Sequence, residues 1–293
     1  MVSPSSPDAA PGTAIVTVSY GSGQVLAPFL ASVAGASSFP VTTVVADNKA
    51  GDEGSVQELA AAAGVGYVPM PGNPGYGAAI NGAVASLEPA IEWILITNPD
   101  VVLGAGSVDI LLATAMTDAA IGSVGPRVLG AEGEVYPSAR AVPSLRTGVG
   151  HALFVNLWTD NPWTRAYRRD AESTAVRRDA GWLSGACLLV RRSAFDELGG
   201  FDDGYFMYFE DVDLGYRLGK AGYRNVYEPE ATVVHTGAHS TNSDSERMVR
   251  THHESARRFL SKKYAGVLLW PIRASLRLGL WARSTLIVRK LRR

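Results

Sequence analysis

The sequence predicts an α/β protein with a largely parallel β-sheet, flanking helices and a C-terminal helical tail. Two observations support this fold class. Short apolar, β-branched runs alternate with helical stretches through the first half of the chain, and polar residues follow several of these runs where a strand should end. With 293 residues, 46% of them hydrophobic, the chain is long enough for one large domain with a full core.

The predicted elements of the first half follow one another regularly. Strands are expected at 14–19, 41–46, 66–69, 93–97 and 121–125, because each is a short apolar or β-branched run. Helices are expected between them at 24–34, 56–63, 75–87 and 108–116. Strands that alternate with helices in this way form parallel crossovers, which explains the prediction of a largely parallel sheet.

The second half of the chain is less regular. Residues 128–181 carry many Pro, Trp and Arg residues without a clean period, and we interpret them as an irregular insert. A strand is then expected at 182–190, a helix at 212–221, two short strands at 225–227 and 232–234, and a polar helix at 244–263. We therefore divide the chain into a lead-in (1–12), a main domain (13–243, with halves 13–127 and 182–243 around the insert) and C-terminal helices (244–293).

Charge is distributed unevenly along the chain. Residues 255–293 hold 11 of the 27 Lys and Arg residues and no Asp or Glu, which leaves 16 basic against 28 acidic residues elsewhere, a net charge of −12. An acidic body with a basic tail suggests that the tail meets an anionic surface. No run reaches the roughly 18 apolar residues of a spanning helix, and the N-terminus lacks the basic and apolar regions of a signal peptide. The only cysteine, Cys187, lies in an apolar strand and is expected to be a packed core thiol.

Three carboxylates stand within four positions, at Glu210, Asp211 and Asp213, directly after an aromatic run. Like charges this close raise one another's pKa, and an aromatic wall adds desolvation, which together suit a general base. The same residues also suit the acidic first turn of a helix, where the dipole favours negative charge. The spacing alone leaves both interpretations open.

A second acidic site follows the strand at 93–97, in the segment Asn98-Pro99-Asp100. Ligands of open α/β sheets bind beyond the carboxyl ends of the strands, and a carboxylate there can hold a divalent cation against a diphosphate. Asn-Pro-Asp is also good turn chemistry, so a plain turn remains the alternative. Three further polar segments, at 19–20, 47–48 and 235, also follow predicted strands and should converge on the same edge.

The first strand is not followed by the glycine pattern of dinucleotide-binding proteins. Residues 19–24 read Ser-Tyr-Gly-Ser-Gly-Gln, which lacks the G-x-G-x-x-G spacing. A carboxylate such as Asp47 can still hydrogen-bond a ribose or base at this position. The pattern therefore favours a nucleoside diphosphate ligand over a dinucleotide.

Several motifs of the chain, taken together and in their order along the sequence, resemble those of family 2 glycosyltransferases. These enzymes have the GT-A fold, which is Rossmann-like and contains a mixed but mostly parallel sheet. The resemblance covers roughly residues 14–240, and its motifs lie at 16–20, 45–48, 73–77 with Asn81, 97–100, 182–187, 199–202, 210–213 and 233–235. The metal motif begins with Asn98, where the family often has Asp, which raises the importance of His235. Within the family, the chain most resembles bacterial rhamnosyltransferases of cell-envelope assembly.

The resemblance implies a role for each matching residue. Asp211 would be the catalytic base, with Glu210 beside it. Asp100 and His235 would ligate Mg²⁺ or Mn²⁺, although a strand-end histidine that caps a carbonyl is an equal alternative for His235. The nucleotide sugar would be bound by residues in the first half of the chain: Val18, Ser19, Tyr20, Asp47, Asn48, Gly75, Asn81 and Asn98. The acceptor would be bound by Trp182, Gly185 and Asp213.

The resemblance also implies a reaction. The expected activity is metal-dependent, inverting transfer of L-rhamnose from dTDP-rhamnose to polyprenyl-diphosphate-linked N-acetylglucosamine, on the inner face of the plasma membrane. Another sugar donor, hexosyl or galactofuranosyl, or a non-catalytic sugar-nucleotide or lipid-binding module, remains the alternative. The tail, with Trp270 and Trp281 among arginines, is expected to bind a membrane surface. Packing of the tail on the domain or on a second subunit, which would make a homo-oligomer, is the competing interpretation. Nucleic acid is not an expected partner.

Overall fold

The computed structural model describes residues 10–51, 55–144, 175–237 and 245–291. Its strands are β1 Thr13–Ser19, β2 Thr42–Asp47, β3 Gly66–Pro69, β4 Trp93–Thr97, β5 Val101–Leu103, β6 Ile121–Leu129, β7 Val135–Tyr136, β8 Ala139–Arg140, β9 Arg178–Ala180, β10 Trp182–Leu183, β11 Cys187–Arg191 and β12 Arg224–His235. Its helices are α1 Gly23–Ala36, α2 Ser55–Ala62, α3 Tyr76–Ala85, α4 Ser107–Ala115, α5 Arg192–Glu197, α6 Glu210–Lys220, α7 Ser245–Lys263 and α8 Trp270–Leu291, with a 3₁₀ turn at Val267–Leu269.

The central sheet is mixed but mostly parallel, with the strand order β3-β2-β1-β4-β11-β6-β12-β5. Strands β1, β2, β3 and β4 are parallel to one another, and β12 is parallel to β6. Strand β11 runs antiparallel to both β4 and β6, so β6 and β12 point the same way as β4. The carboxyl ends of β1, β2, β4 and β12 therefore lie at one edge, as predicted.

Helices cover both faces of the sheet, which is why the strands are apolar on both sides. Every residue of β1 is buried. Successive β1 residues point to opposite faces: Val16 packs in a core with α3 and α6, and Ile15 packs in the core with α1 and α4. The predicted α/β class is confirmed by this three-layer arrangement.

The predicted strands and helices of the first half are all present, within two residues at each end except for β6, which ends four residues later than predicted. The differences are concentrated later. Strand β12 is one continuous twelve-residue strand with a register shift, where two short strands were predicted. The predicted strand at 182–190 is broken into β10 and β11, and the short elements β5, β7, β8, β9 and α5 were not predicted. Residues 1–9 of the lead-in and residues 145–174 of the insert lie outside the described residues.

The two C-terminal helices pack on the domain and on each other. On α7, Phe259 is fully buried in a small core with Tyr205 and Val212. Helix α8 lies along α7 and buries Val288. Among the described residues, no helix is both long and apolar enough to cross a membrane.

Candidate active site

The strand ends bring the first-half residues together. Ser19 pairs with Asp47 in the register of β1 and β2, and the Asn48 N–H donates to the Ser19 carbonyl at 2.8 Å. The Asp47 carboxylate is buried and accepts two bonds, from the Lys49 N–H at 3.0 Å and from the Tyr67 hydroxyl at 2.9 Å. The convergence predicted from the sheet is therefore present at this side of the site.

Asn48 shows an acceptor without a partner. Its amide nitrogen donates to the Gly75 carbonyl at 3.1 Å, and its Oδ1 is buried with no hydrogen-bond partner. A buried carbonyl oxygen left unpaired costs free energy, so it suits a ligand that brings an N–H donor. Beside it, Val18 and Ser19 are buried, and Tyr20 is exposed at the mouth of the site.

Asp100 and His235 meet at the adjoining edge. The loop after β4 carries Asp100, and the last residue of β12 is His235, whose Nε2 lies 3.1 Å from Asp100 Oδ1. The same ring nitrogen lies 3.3 Å from Asn98 Nδ2. All three side chains are partly exposed. Asp100 and His235 are 135 positions apart in sequence, and they lie next to each other because β12 and β4 run in the same direction.

This pair can contribute to a metal site but cannot complete one. Two ligands at right angles on a cation with bonds of about 2.1 Å lie about 3 Å apart, which matches the Asp100–His235 separation. Within the described residues, no group of three or more His, Cys, Asp or Glu side chains could hold a metal ion. The remaining ligands of a cation would have to come from water and from the diphosphate of a bound nucleotide, as is usual for Mg²⁺.

The second acidic cluster opens helix α6. Asp211 is partly exposed, and its carboxylate accepts the Gly185 N–H at 2.9 Å and the Val212 N–H at 2.8 Å. Glu210 is buried, and its Oε2 has no hydrogen-bond partner. The general-base and helix-terminus interpretations of the sequence are both compatible with this position, because the carboxylates occupy the first turn of α6 and one of them is open to the site.

The two carboxyl groups have different environments. Burial and then the neighbouring Asp211 charge raise the pKa of Glu210 to about 8. Burial also raises the pKa of Asp211, but its two backbone donors oppose that rise. Asp211 is the partly exposed carboxylate of the two, and its backbone hydrogen bonds favour the charged form, so it is the one suited to accept a proton.

A short loop connects the two acidic sites. The break between β10 and β11 leaves residues 184–186 outside the ladder, which frees the Gly185 N–H for Asp211. At the next residue, the Ala186 carbonyl accepts the Asn98 N–H at 2.9 Å. The break that the sequence did not predict thus positions the base next to the loop that carries Asp100.

The chain before Glu210 adopts an uncommon conformation. Tyr208 and Phe209 both have φ of 67°, a left-handed region that non-glycine residues seldom occupy. Gly75 packs against this segment so closely that a Cβ would lie 2.3 Å from the Phe206 carbonyl oxygen. Such strain persists only where surrounding contacts impose it, and it is typical of functional sites.

Three predicted ligand-binding residues are occupied by structural contacts. Asn81 uses its amide on the Phe201 backbone and the Asp203 side chain. Asp213 has no exposed surface and pairs with Arg217 and Lys262, each at 2.6 Å. Trp182 donates to the Ala141 carbonyl and packs against α6.

These contacts change the site assignment. Asp213 is fully buried and Asn81 is saturated, so we do not retain them as acceptor and nucleotide ligands. Gly75 and Trp182 shape the site through packing. The signal missed in the sequence was an ion-pair partner: Lys262, 49 positions downstream of Asp213, neutralises this carboxylate.

Two tyrosines of the site were not predicted. Tyr76 donates its hydroxyl to the Gly185 carbonyl at 2.9 Å. Tyr136 lies on β7, which pairs with β6, and its pKa is raised by burial and then by the charge of Asp211. Both residues carry hydroxyl groups near the base, but neither lies in a segment whose spacing alone indicates chemistry.

A model of the glycosyltransferase-like family 2 matches residues 11–254 of the chain. The chain belongs to this family. This glycosyltransferase is 45% identical, over 94% of its own length and 92% of the relative, to N-acetylglucosaminyl-diphospho-decaprenol L-rhamnosyltransferase of Mycobacterium tuberculosis. It is also 43% identical over 82 residues, which are 28% of this chain and 31% of the relative, to rhamnosyltransferase WbbL of Escherichia coli.

Two solved structures share the fold of this glycosyltransferase. A mannosyltransferase from Pyrobaculum calidifontis in complex with GDP-mannose and Mn²⁺ matches with a TM-score of 0.56 and 16% identity, over 97% of this chain and 78% of that one. GalNAc-T7 with UDP, GalNAc and Mn²⁺ matches with a TM-score of 0.60 and 15% identity, over 85% of this chain and 47% of that one. The predicted GT-A fold and glycosyltransferase class are therefore confirmed.

Proposed function

We propose that this glycosyltransferase transfers L-rhamnose from dTDP-rhamnose to a polyprenyl-diphosphate-linked N-acetylglucosamine. The mycobacterial relative is named for transfer to N-acetylglucosaminyl-diphospho-decaprenol, and the similarity extends over nearly the whole of both chains. In this chain, the observation that carries the proposal is the partly exposed Asp211, joined through the 184–186 loop to the segment with Asp100.

The geometry favours a single displacement. Asp211 takes the proton of the acceptor hydroxyl while that oxygen forms a bond to the anomeric carbon and the bond to the nucleoside diphosphate breaks. We assign no second nucleophile to the site, so the configuration at the anomeric carbon inverts. A β-linked nucleotide rhamnose then yields an α-linked rhamnoside.

Asp100 and His235 would hold a divalent cation on the diphosphate side of the site. Such a cation offsets the negative charge that develops on the leaving diphosphate. Asn98 Nδ2 lies 3.3 Å from the same His235 Nε2, so a cation on Nε2 would replace this contact. Asn48 Oδ1, buried and without a partner, would accept an N–H of the nucleotide base.

A lipid-linked acceptor requires the enzyme to work at a membrane surface, and the tail offers a surface of the right chemistry. Of the eleven exposed large apolar side chains in the described residues, six lie between Val267 and Trp281. We call these six the apolar edge: Val267, Leu268, Trp270, Ile272, Leu278 and Trp281. Exposed Arg277 and Arg283 lie on the same helix. Trp and Arg suit headgroup depth, so we propose peripheral attachment to the anionic inner leaflet.

The donor and the base are tested together with the purified full chain. Wild-type enzyme with Mn²⁺, dTDP-rhamnose and a short polyprenyl-diphosphate-N-acetylglucosamine should form a rhamnosylated product, detected by mass spectrometry. Asp211→Asn should lower turnover about 10²–10⁴-fold while donor affinity stays within a few fold, because only proton transfer is lost.

Two results would contradict the proposal. Turnover by Asp211→Asn close to that of the wild type would remove Asp211 as the base. Transfer from another nucleotide sugar in preference to dTDP-rhamnose would replace the donor and keep the chemistry.

A further inference from the structure

Tyr76 lies near the carboxylates of Glu210, Asp211 and Asp100, and the proposed reaction gives it no role. It is the first residue of α3, and its half-buried ring packs against Phe201, with 6.4 Å between the ring centroids. Its pKa is raised well above the usual value by burial, and further by the charges of Glu210, Asp211, Cys187 and Asp100. The hydroxyl therefore stays protonated and can donate a hydrogen bond across the working pH range.

That hydrogen bond reaches Asp211 through one intervening residue. The Tyr76 hydroxyl donates to the Gly185 carbonyl at 2.9 Å, and the Gly185 N–H donates to Asp211 Oδ2 at 2.9 Å. Gly185 belongs to the short loop between β10 and β11, whose two neighbouring residues are already held: the Ser184 N–H donates to the Ser138 carbonyl at 2.7 Å, and the Ala186 carbonyl accepts the Asn98 N–H at 2.9 Å. The Tyr76 hydroxyl adds a contact at Gly185 itself, the residue whose amide donates to Asp211.

The backbone around Tyr76 is held on the other side by the strained segment. The Tyr76 N–H donates to the Phe206 carbonyl at 3.0 Å, and Gly75 leaves no room for a Cβ there. A Cβ on Gly185 would lie 3.7 Å from the Tyr76 ring and 3.4 Å from Asp211 Cβ, so the three groups are in contact. The backbone of Tyr76 is thus held by the Phe206 carbonyl, and its side-chain hydroxyl in turn holds the Gly185 carbonyl.

We infer that Tyr76 is a positioning residue for the catalytic base: its hydroxyl holds the Gly185 peptide so that the Gly185 amide orients Asp211 and favours its ionised form. This inference deepens the proposed function and rests on Asp211 being the base. Tyr76 acts through Gly185 and need not touch either substrate.

Loss of the Tyr76 hydroxyl should raise the pKa of Asp211. The charge of Asp211 raises the pKa of three titratable groups, Glu210, Tyr76 and Tyr136. The Gly185 hydrogen bond lowers the pKa of Asp211 against the effect of burial. If the loop loses its anchor, this bond weakens, the pKa of Asp211 rises, and a higher pH is needed to ionise the base.

The kinetic test uses Tyr76→Phe, which removes one hydroxyl and keeps the ring. In the full-length enzyme, kcat should fall about tenfold or more because the base is misplaced, whereas the KM for the donor stays within about twofold. The acid limb of the kcat/KM profile should shift to higher pH. The matched control is Tyr223→Phe, which removes an exposed hydroxyl bonded to Glu197 and should leave kcat and the profile unchanged.

A second measurement needs no catalysis. The carboxyl carbon of Asp211 in ¹³C-aspartate-labelled protein, assigned with Asp211→Asn, should titrate at higher pH in Tyr76→Phe than in the wild type. Replacing Tyr76 by 4-aminophenylalanine, which keeps a ring donor, should return kcat and the titration toward wild-type values. This variant also serves as the test if Tyr76→Phe does not fold.

Each outcome decides one hypothesis. An unchanged Asp211 titration, or a kcat and pH profile equal to those of the wild type, would overturn the role of Tyr76. Absence of transfer by the wild-type enzyme would count against the proposed function alone, since the titration still tests the Tyr76–Gly185–Asp211 chain.

Discussion

Glu210 and Asp211 are adjacent carboxylates in different environments. Glu210 is buried with an unpaired Oε2, and Asp211 opens to the site and accepts two backbone N–H groups. Hydrogen bonds to a carboxylate favour its charge, and burial without them favours the protonated form. Burial therefore favours the protonated form of Glu210, and the backbone hydrogen bonds favour the charged form of Asp211.

Glu210→Gln tests this assignment. A glutamine resembles the protonated acid, so turnover at pH 7 should stay within a few fold of wild type. The pKa of Glu210 is raised from 4.5 to about 8 in the folded protein, so wild-type stability should fall as pH rises through that interval. Thermal unfolding of both proteins at pH 5, 7 and 9 should show the variant gaining relative stability with pH. A constant difference between them would show that Glu210 is already ionised at neutral pH.

The Asp100–His235 pair predicts how the donor is bound. Asp100→Ala should lose activity and lose Mn²⁺-dependent donor affinity, because the diphosphate then faces no compensating cation. Titration calorimetry with dTDP-rhamnose, with Mn²⁺ or with EDTA, measures this directly. Asp118→Asn, which breaks an exposed ion pair with Arg224 far from the strand ends, is the control. Equal donor affinity of the wild type with Mn²⁺ and with EDTA would exclude Asp100 as a metal ligand.

Helix α7 packs on the segment that precedes Glu210 and Asp211 and is not a detached tail. The His252 ring contacts both Tyr208 and Phe209, and Ser255 donates to the Met207 carbonyl at 2.8 Å. Lys262 bridges the carboxylates of Asp202 and Asp213, at 2.7 and 2.6 Å. These contacts offset the cost of two left-handed residues, about 1–3 kcal/mol each, directly before the base.

Lys262→Met measures the contribution of this bridge. Fully buried Asp213 would keep only Arg217 as a cationic partner, so we expect the free energy of unfolding to fall by about 1–3 kcal/mol. Turnover should fall with it, because Asp213 lies in the same helical turn as Asp211. Arg250→Met, which breaks an exposed pair with Glu246 on the same helix, should change stability by less than about 0.5 kcal/mol. Equal effects of the two variants in urea unfolding would show that the bridge is unimportant.

Taken as a whole, the molecule has a partly exposed candidate site at the carboxyl edge of its sheet and an apolar edge on its C-terminal turn and helix. Helix α8 lies along α7 and buries Val288. One side of the tail therefore packs on the protein, as the competing interpretation expected. The apolar and basic residues of α8 are spread around the helix rather than sorted onto two faces. The exposed large apolar side chains of the tail are concentrated around the 3₁₀ turn, where Leu268 is 92% exposed.

The double variant Leu268→Asp/Trp270→Asp tests this edge without uncovering α7, which a truncation after Tyr264 would do. Each large apolar side chain that enters the lipid contributes about 1.5–3 kcal/mol, and added carboxylates repel an anionic leaflet. The variant should therefore leave phosphatidylglycerol vesicles in co-sedimentation and still glycosylate a water-soluble acceptor. Met116→Asp, an exposed apolar residue on α4's C-terminal side, is the matched control.

The competing interpretation has its own signature. If the apolar edge joins two subunits, light scattering of the wild type will show a dimer that the double variant dissociates. Unchanged sedimentation of the double variant would exclude the apolar edge as the membrane contact.

Local patterns in the chain were sufficient for the fold class, the elements of the first half and the meeting of the polar strand ends. Period and turn residues report secondary structure, and the direction of parallel strands places their ends together. Asp47, Asp100 and His235 were found in this way. Charge crowding singled out Glu210 and Asp211 but left two interpretations open, and the family resemblance supplied the predicted role of Asp211 as base.

Packing between distant segments decided the rest. Asn81 and Asp213 carry the right chemistry, but Phe201, Arg217 and Lys262 use it for structural contacts, which no local spacing reveals. The break at 184–186 looks like continuous strand in the sequence, yet it supplies the amide that orients Asp211. Hydrogen-bond partners and burial are properties of three-dimensional neighbours, and they determine which carboxylate ionises and which residue holds it in place.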